Sequence, residues 1–272
     1  MSRDLLPTLR ERIRRIERPA AAVHGVLPFG VAAIDRALPG GGLARGAVHE
    51  FVGMGGDEED GALTAGFAAS ILARLGSHPN SPPRAGEGTG GGIVLWCLPR
   101  PDLYGPGLAA LGLDPARLVL VQARRDAEIL WAVEEGLRSA GVAAVVGELG
   151  IFPTVASRRL QLAAERSGVT AFVLRRWRDG AQAARERGLP NAAATRWRIA
   201  AQPSVPVRAE PGIGRPRWRV ELLRCRGGEP ACWEMEVADA TGSLSLVATL
   251  ADRPNGPFRE DAVLPQKFRR AG

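Results

Sequence analysis

Of the 36 basic residues in this chain only one is a lysine, Lys267, near the C-terminal end. Chemistry that depends on a lysine amine anywhere else is therefore excluded. Cysteine is scarce as well: Cys97, Cys225 and Cys232 are odd in number and form no CxxC pair. No disulfide framework is expected, and a reduced, cytoplasmic setting is. His24, His49 and His78 show no metal-ligand spacing, so no metal site is expected. No apolar run approaches the roughly 18 residues that read as a membrane-spanning helix. Residues 1–18 are charged throughout, unlike a signal peptide. No membrane partner is expected. Aromatic residues make up 5% of the chain, yet hydrophobic residues reach 45%, enough for a full core.

The organising stretch is 47–66. A buried strand over 47–52 leads into a glycine-rich turn and a helix over 61–75. That is the layout of a phosphate-binding loop, with Gly53, Gly55, Gly56 and Gly61 as its glycines. Such a loop needs a lysine for the β- and γ-phosphates and a hydroxyl for Mg²⁺. Here Ala62 stands at the lysine position and Leu63 at the hydroxyl position, with Thr64 next. The loop carries Asp57, Glu58, Glu59 and Asp60 instead, which repel a polyphosphate and suit a helix N-terminus. The expectation is a degenerate loop, filled from within by its own side chains and binding no cofactor.

A net charge of +7 persists after the choice of arginine over lysine is assigned to codon bias. It is compatible with nucleic acid or an acidic protein partner. Residues 2–18 read as an amphipathic helix with Leu6, Leu9, Ile13 and Ile16 on one stripe, a candidate partner-binding surface. Residues 1–25 form this helix and a linker, 26–250 the core domain, and 251–272 a tail. Residues 77–92 are low-complexity and read as a disordered loop. Within the core, a short helix over 31–38 precedes the first strand. Strands at 93–98, 118–122, 142–146 and 170–174 then alternate with helices at 102–111, 125–140 and 154–167. Continuous apolar strands of this kind form a parallel sheet covered on both faces. After residue 195 only strands follow, at 195–201, 216–225, 231–238 and 243–249, with a hairpin signal at Arg226–Glu229. The fold class is α/β: a mostly parallel central sheet flanked by helices, with a C-terminal antiparallel hairpin region.

Arg175, Arg176, Trp177, Arg178, Arg185 and Arg187 are the nucleic-acid candidates, because arginine neutralises phosphate and tryptophan stacks on bases. Trp197, alternating with Arg196 and Arg198, reads as core. Glu148 reads as a solvated loop carboxylate and Asp102 as a helix N-cap. Ser157 has no histidine placed to activate it.

The order of these pieces is familiar. Residues 29–53 resemble the segment leading into the phosphate loop of the RecA recombinase family. Residues 96–113 look like that family's second core strand and helix, and 216–242 like its closing hairpin. More specifically, residues 103–118, 130–138, 157–165 and 218–228 are similar to the ImuA family, RecA-like accessory proteins of bacterial damage-induced mutagenesis. The resemblance implies a RecA-like core. It also implies a role in translesion synthesis beside an ImuB-like inactive Y-family polymerase homologue and an error-prone replicative-type DNA polymerase. RecA, DNA and a second copy of the chain are further candidate partners. On the RecA pattern the water-activating glutamate falls on Arg100 and the metal-binding aspartate on Gly147. With Ala62, these losses argue against phosphoryl transfer, and the chain is expected not to be an enzyme. The alternative function is a regulator of single-stranded DNA or of the RecA filament, acting through residues 175–198.

Overall fold

The computed structural model describes residues 23–75, 92–204, 214–237 and 244–250. The N-terminal stripe, residues 77–91 of the expected 77–92 loop and the 251–272 tail lie outside the described residues. A small antiparallel pair comes first, β1 (Val26–Leu27) with β2 (Leu43–Ala44), and between them α1 (Ala32–Ala37). Then follow β3 (Val48–Val52), α2 (Asp57–Leu72), β4 (Ile93–Leu98), α3 (Gly105–Ala110) and β5 (Leu118–Gln122). The chain continues through α4 (Asp126–Arg138), β6 (Val142–Leu149), α5 (Thr154–Ser167), β7 (Thr170–Arg175) and α6 (Gly180–Glu186). It closes with β8 (Thr195–Gln202), β9 (Arg217–Cys225), β10 (Ala231–Glu236) and β11 (Ser245–Leu250).

The large sheet has the order β11-β10-β9-β8-β3-β7-β6-β4-β5. Strands from β8 to β5 are parallel, and β9, β10 and β11 add antiparallel. The expected α/β class, with its mostly parallel sheet and terminal antiparallel region, is what the chain forms. β3 sits between β7 and β8, and all five of its residues are buried. A strand covered on both faces buries every side chain, so His49 and Glu50 lie in the interior beside Val48, Phe51 and Val52 and need internal partners.

One face is covered by α2, α1 and α3. Phe67 of α2 is its hub, with ring centroids 5.8 Å from Phe51, 6.3 Å from Trp197 and 5.8 Å from Trp218. Trp197 is fully buried there, as its place in the strand pattern predicts. The other face packs α4 and α5 over Val48, Cys97, Val145, Ala171 and Val173. Burial pushes the Cys97 thiol up to about 12, so it is an inert part of this core.

Three elements near the strand ends differ from the sequence expectation, besides α3, which begins at Gly105 rather than 102. Helix α2 starts at Asp57 rather than Gly61, because the four acidic residues form its first turn, where the helix dipole favours them. Strand β6 runs past Val146 to Leu149, with Gly147 and Glu148 in register with Val173 and Leu174 of β7. The basic stretch after β7 contains α6, capped by Asp179, whose carboxylate accepts from Gln182 N–H at 2.7 Å.

Candidate functional site

The glycine-rich turn between β3 and α2 closes on its own side chain. The Asp60 carboxylate accepts from Gly55 N–H at 2.5 Å. A Cβ at Gly53 would collide with Asp60, and one at Gly61 would collide with Asp57. The glycines that give a phosphate close backbone approach here give that room to carboxylates. Ala62 is exposed at the lysine position, and Leu63 packs against the core. Thr64 is buried, and its hydroxyl donates to the Gly61 carbonyl at 3.2 Å rather than facing outward.

Beside the loop, the C-terminal ends of β3, β4, β6 and β7 converge. Open α/β sheets bind ligands at such strand ends. The place is held by an ion cluster centred on Arg176. Its guanidinium donates to Asp57 at 3.1 Å, to Asp102 at 2.6 Å and to Glu148 at 2.7 Å. Arg100, the residue at the expected glutamate position, also pairs with Asp57 and lies 3.4 Å from Asp102. The acidic loop thus meets two arginines at the strand ends, Arg100 and Arg176, which also hold Asp102 and Glu148. Glu148 is a correction to the sequence reading. It lies inside β6, fully buried, and accepts from Trp96 Nε1–H at 2.8 Å. Burial raises its pKa, against the opposing pull of Arg176 and the Trp96 bond. Asp102 is also corrected: α3 begins at Gly105, and Asp102 serves the cluster rather than capping a helix.

A second cluster lies on the opposite face of β3. Glu50, fully buried, accepts from Arg175 at 2.8 Å, Arg196 at 2.5 Å and Asn191 at 2.7 Å. Arg175 reaches on to the Gly150 carbonyl at 2.9 Å and Glu186 at 3.1 Å. Arg224 donates to the Asn191 and Ala193 carbonyls at 2.8 and 2.7 Å. The network ties β3, β7, β8, β9 and α6 together. It leaves no open acid/base pair.

No family model matches the chain. Protein ImuA of Caulobacter vibrioides does, in strain NA1000 / CB15N and in strain ATCC 19089 / CIP 103742 / CB 15. Each is 42% identical over 232 residues, covering 84% of this chain and 91% of the relative. The chain belongs to the ImuA family.

For this ImuA-family chain the arginine-rich segment looks different in three dimensions than in sequence. Arg175 and Arg176 are the ion-pair centres just described. Trp177 is 1% exposed, with the guanidinium carbons of Arg175 and Arg187 at 5.3 and 5.6 Å from its ring centroid. Arg187 donates to the Met54 carbonyl and so holds the loop; burial pulls its pKa below the ordinary arginine value. Of the six candidates, only Arg178 and Arg185 are exposed. A buried tryptophan cannot stack on a base, and a guanidinium bound to carboxylates has few donors left for phosphate. Ser157 is a structural link: its hydroxyl donates to the Thr154 carbonyl at 2.8 Å and accepts from Ala192 N–H at 2.9 Å. Leu6, Leu9, Ile13 and Ile16 lie outside the described residues. Sequence reasoning missed Glu50, Asn191 and Arg224. The available signal was Glu50 itself, since a carboxylate in a strand buried on both faces requires cations.

Proposed function

We propose that this chain is a non-catalytic adaptor of damage-induced mutagenesis, built on a RecA-like scaffold whose nucleotide chemistry is gone. Membership of the ImuA family supports involvement in damage-induced mutagenesis. One observation carries the non-catalytic part. The place for an anion at the strand ends is occupied by Asp60 on Gly55 N–H and by Arg176 among Asp57, Asp102 and Glu148. A nucleotide entering here would have to displace charge-assisted bonds and meet carboxylates. Phosphoryl transfer works by positioning and charge neutralisation, and the groups for both are missing.

An accessory protein that does not turn over nucleotide acts through lasting contacts. The family resemblance suggests whom it contacts: an ImuB-like inactive polymerase homologue and an error-prone replicative-type polymerase. The alternative, a DNA-binding regulator acting through residues 175–198, is weakened because four of its six candidate side chains are engaged internally.

Calorimetric titration with ATP·Mg²⁺ and a phosphate-release assay test the reading. No saturable heat at millimolar nucleotide and no turnover above background are expected. Ala62→Lys alone restores neither, because Arg100 and Gly147 remain. Saturable binding with turnover in the unaltered chain would overturn the non-catalytic reading.

A further inference from the structure

We propose that the outer face of α4 and α5 is a docking surface for an acidic, amphipathic segment of another protein. The inference rests on the adaptor reading and gives it a location. On α5, Val155, Arg159, Leu162 and Arg166 follow one another at spacings of four, three and four residues, a single stripe of the helix. On α4, Trp131 and Arg138 lie two turns apart on one face. The two helices start together, since Asp126 of α4 accepts from Ile151 N–H at 2.7 Å. Trp131 and Val155 therefore share one end of the face, and Arg138 and Arg166 the other. At the Arg138 and Arg166 end lies an open groove of about 390 Å³, floored by Ala163 and Leu162 and edged by Arg138, Arg159 and Arg166, and Trp131 and Val155 extend the face beyond it.

The apolar side chains here are unusually open. Trp131 is 65% exposed, Val155 75% and Leu162 46%. The chain's other five tryptophans are all buried. Exposed tryptophan and arginine together are the residue types that dominate binding energy at protein interfaces. The arginines stay open to solvent even though Arg138 and Arg159 are ion-paired, Arg138 to Glu135 at 2.7 Å as well. Glu134, buried between the helices, pairs with Arg138 at 2.5 Å and with Arg159, fixing both guanidiniums at the rim. Their side chains remain 58% and 63% exposed, and Arg166 has no ion-pair partner among the described residues.

Charge complementarity selects the occupant. Arginines flanking an apolar floor fit a helix with leucine-type anchors on one side and carboxylates around them. The chain's own terminal segments do not qualify. Residues 1–22 carry six arginines against three carboxylates, and residues 251–272 carry five basic residues against three acidic ones. Nucleic acid fits less well, because Val155 and Leu162 offer nothing to a phosphate backbone, and Glu134 and Glu135 lie within the face.

Trp131 supplies its own readout, because acrylamide reaches it and not the five buried indoles. The full chain is titrated with an amidated peptide of about 18 residues, long enough to hold a helix, with leucines at i, i+3, i+4 and i+7 and glutamates elsewhere. Protection of Trp131 from quenching is expected, and the same peptide with lysine for glutamate should give none. Arg166→Glu with Leu162→Asp, both at exposed positions, should weaken binding by about tenfold or more. Unchanged far-ultraviolet circular dichroism would show that the variant is folded. Equal binding of the lysine peptide, or no protection by either peptide, would overturn the proposal. Protection by a thymidine oligomer of about 20 nucleotides instead would overturn it in favour of nucleic acid. The adaptor reading fails separately, on nucleotide turnover, so the two failures are distinguishable.

Discussion

Two parts of this molecule use arginine and glutamate in opposite ways. At the strand ends, Arg176 gives its donors to Asp57, Asp102 and Glu148, and Arg175 gives its own to Glu50, Gly150 and Glu186. On the outer face of α5, Arg158 and Arg166 have no ion-pair partner among the described residues and stand in solvent. The first region sits where such folds handle ligands, and it has become internal structure. The second is the plain back of two helices, and it carries the exposed tryptophan. Charge density alone therefore does not locate function. What matters is whether the charges already have partners.

The comparison breaks first at Glu50. Glu50→Ala leaves Arg175 and Arg196 without their shared carboxylate in the interior. A loss of about 3–5 kcal/mol in denaturant unfolding is expected, since breaking a buried pair strands a charge. A loss under about 1 kcal/mol would mean that the interior arginines do not hold the fold together.

Acid probes the same interior. His49 in β3 is buried, with its ring nitrogens bonded to Thr195 Oγ1 at 2.8 Å and the Ala44 carbonyl at 2.9 Å. Burial lowers its pKa from 6.5 to about 4, against the pull of the Ala44 bond. The unfolded chain therefore takes up a proton near pH 6.5 that the folded chain refuses until about pH 4. The contribution is fully present above 6.5 and is lost as pH falls toward 4, about 3 kcal/mol in all. Glu148, whose pKa is raised, acts in the opposite sense over acidic pH. The difference between the unaltered chain and His49→Gln isolates the histidine. Unfolding midpoints between pH 7 and pH 4 should fall less steeply in the variant; parallel profiles would refute the assignment.

A smaller effect is expected at the loop. Asp60→Ala frees Gly55 N–H and costs about 1–2 kcal/mol, the size of a lost charge-assisted bond to the backbone. Increased amide exchange confined to residues 53–57 should accompany it. The smallest effect belongs to the outer face. Arg158→Ala and Arg166→Ala should each stay within about 0.5 kcal/mol of the unaltered chain. A loss of about 2 kcal/mol at either would erase the contrast between the two regions.

Much of the fold was legible because it is written locally. The apolar run Ile93–Leu98, the helix over 154–167 and the alternation of Trp218, Val220 and Leu222 each announce their element within one stretch. The misplaced start of α2 has a local cause as well: the phosphate-loop pattern sets the helix at Gly61, whereas the four acids form its first turn from Asp57. The filled loop was half legible. The absence of a lysine from the loop is a fact of sequence, but the carboxylate that meets Gly55 N–H could not be assigned to Asp60 rather than its three acidic neighbours.

The sequence by itself determined the periodicities, the absence of a lysine from the loop and the acidic character of the loop, because these depend on residues close along the chain. The tertiary structure alone decided which charges are spent. Asp57 meets Arg176 across 119 residues, and Glu50 meets Arg196 across 146. No local pattern encodes such pairs. They follow from the strand order that sets β3 between β7 and β8, and from the cost of leaving a buried carboxylate without a cation.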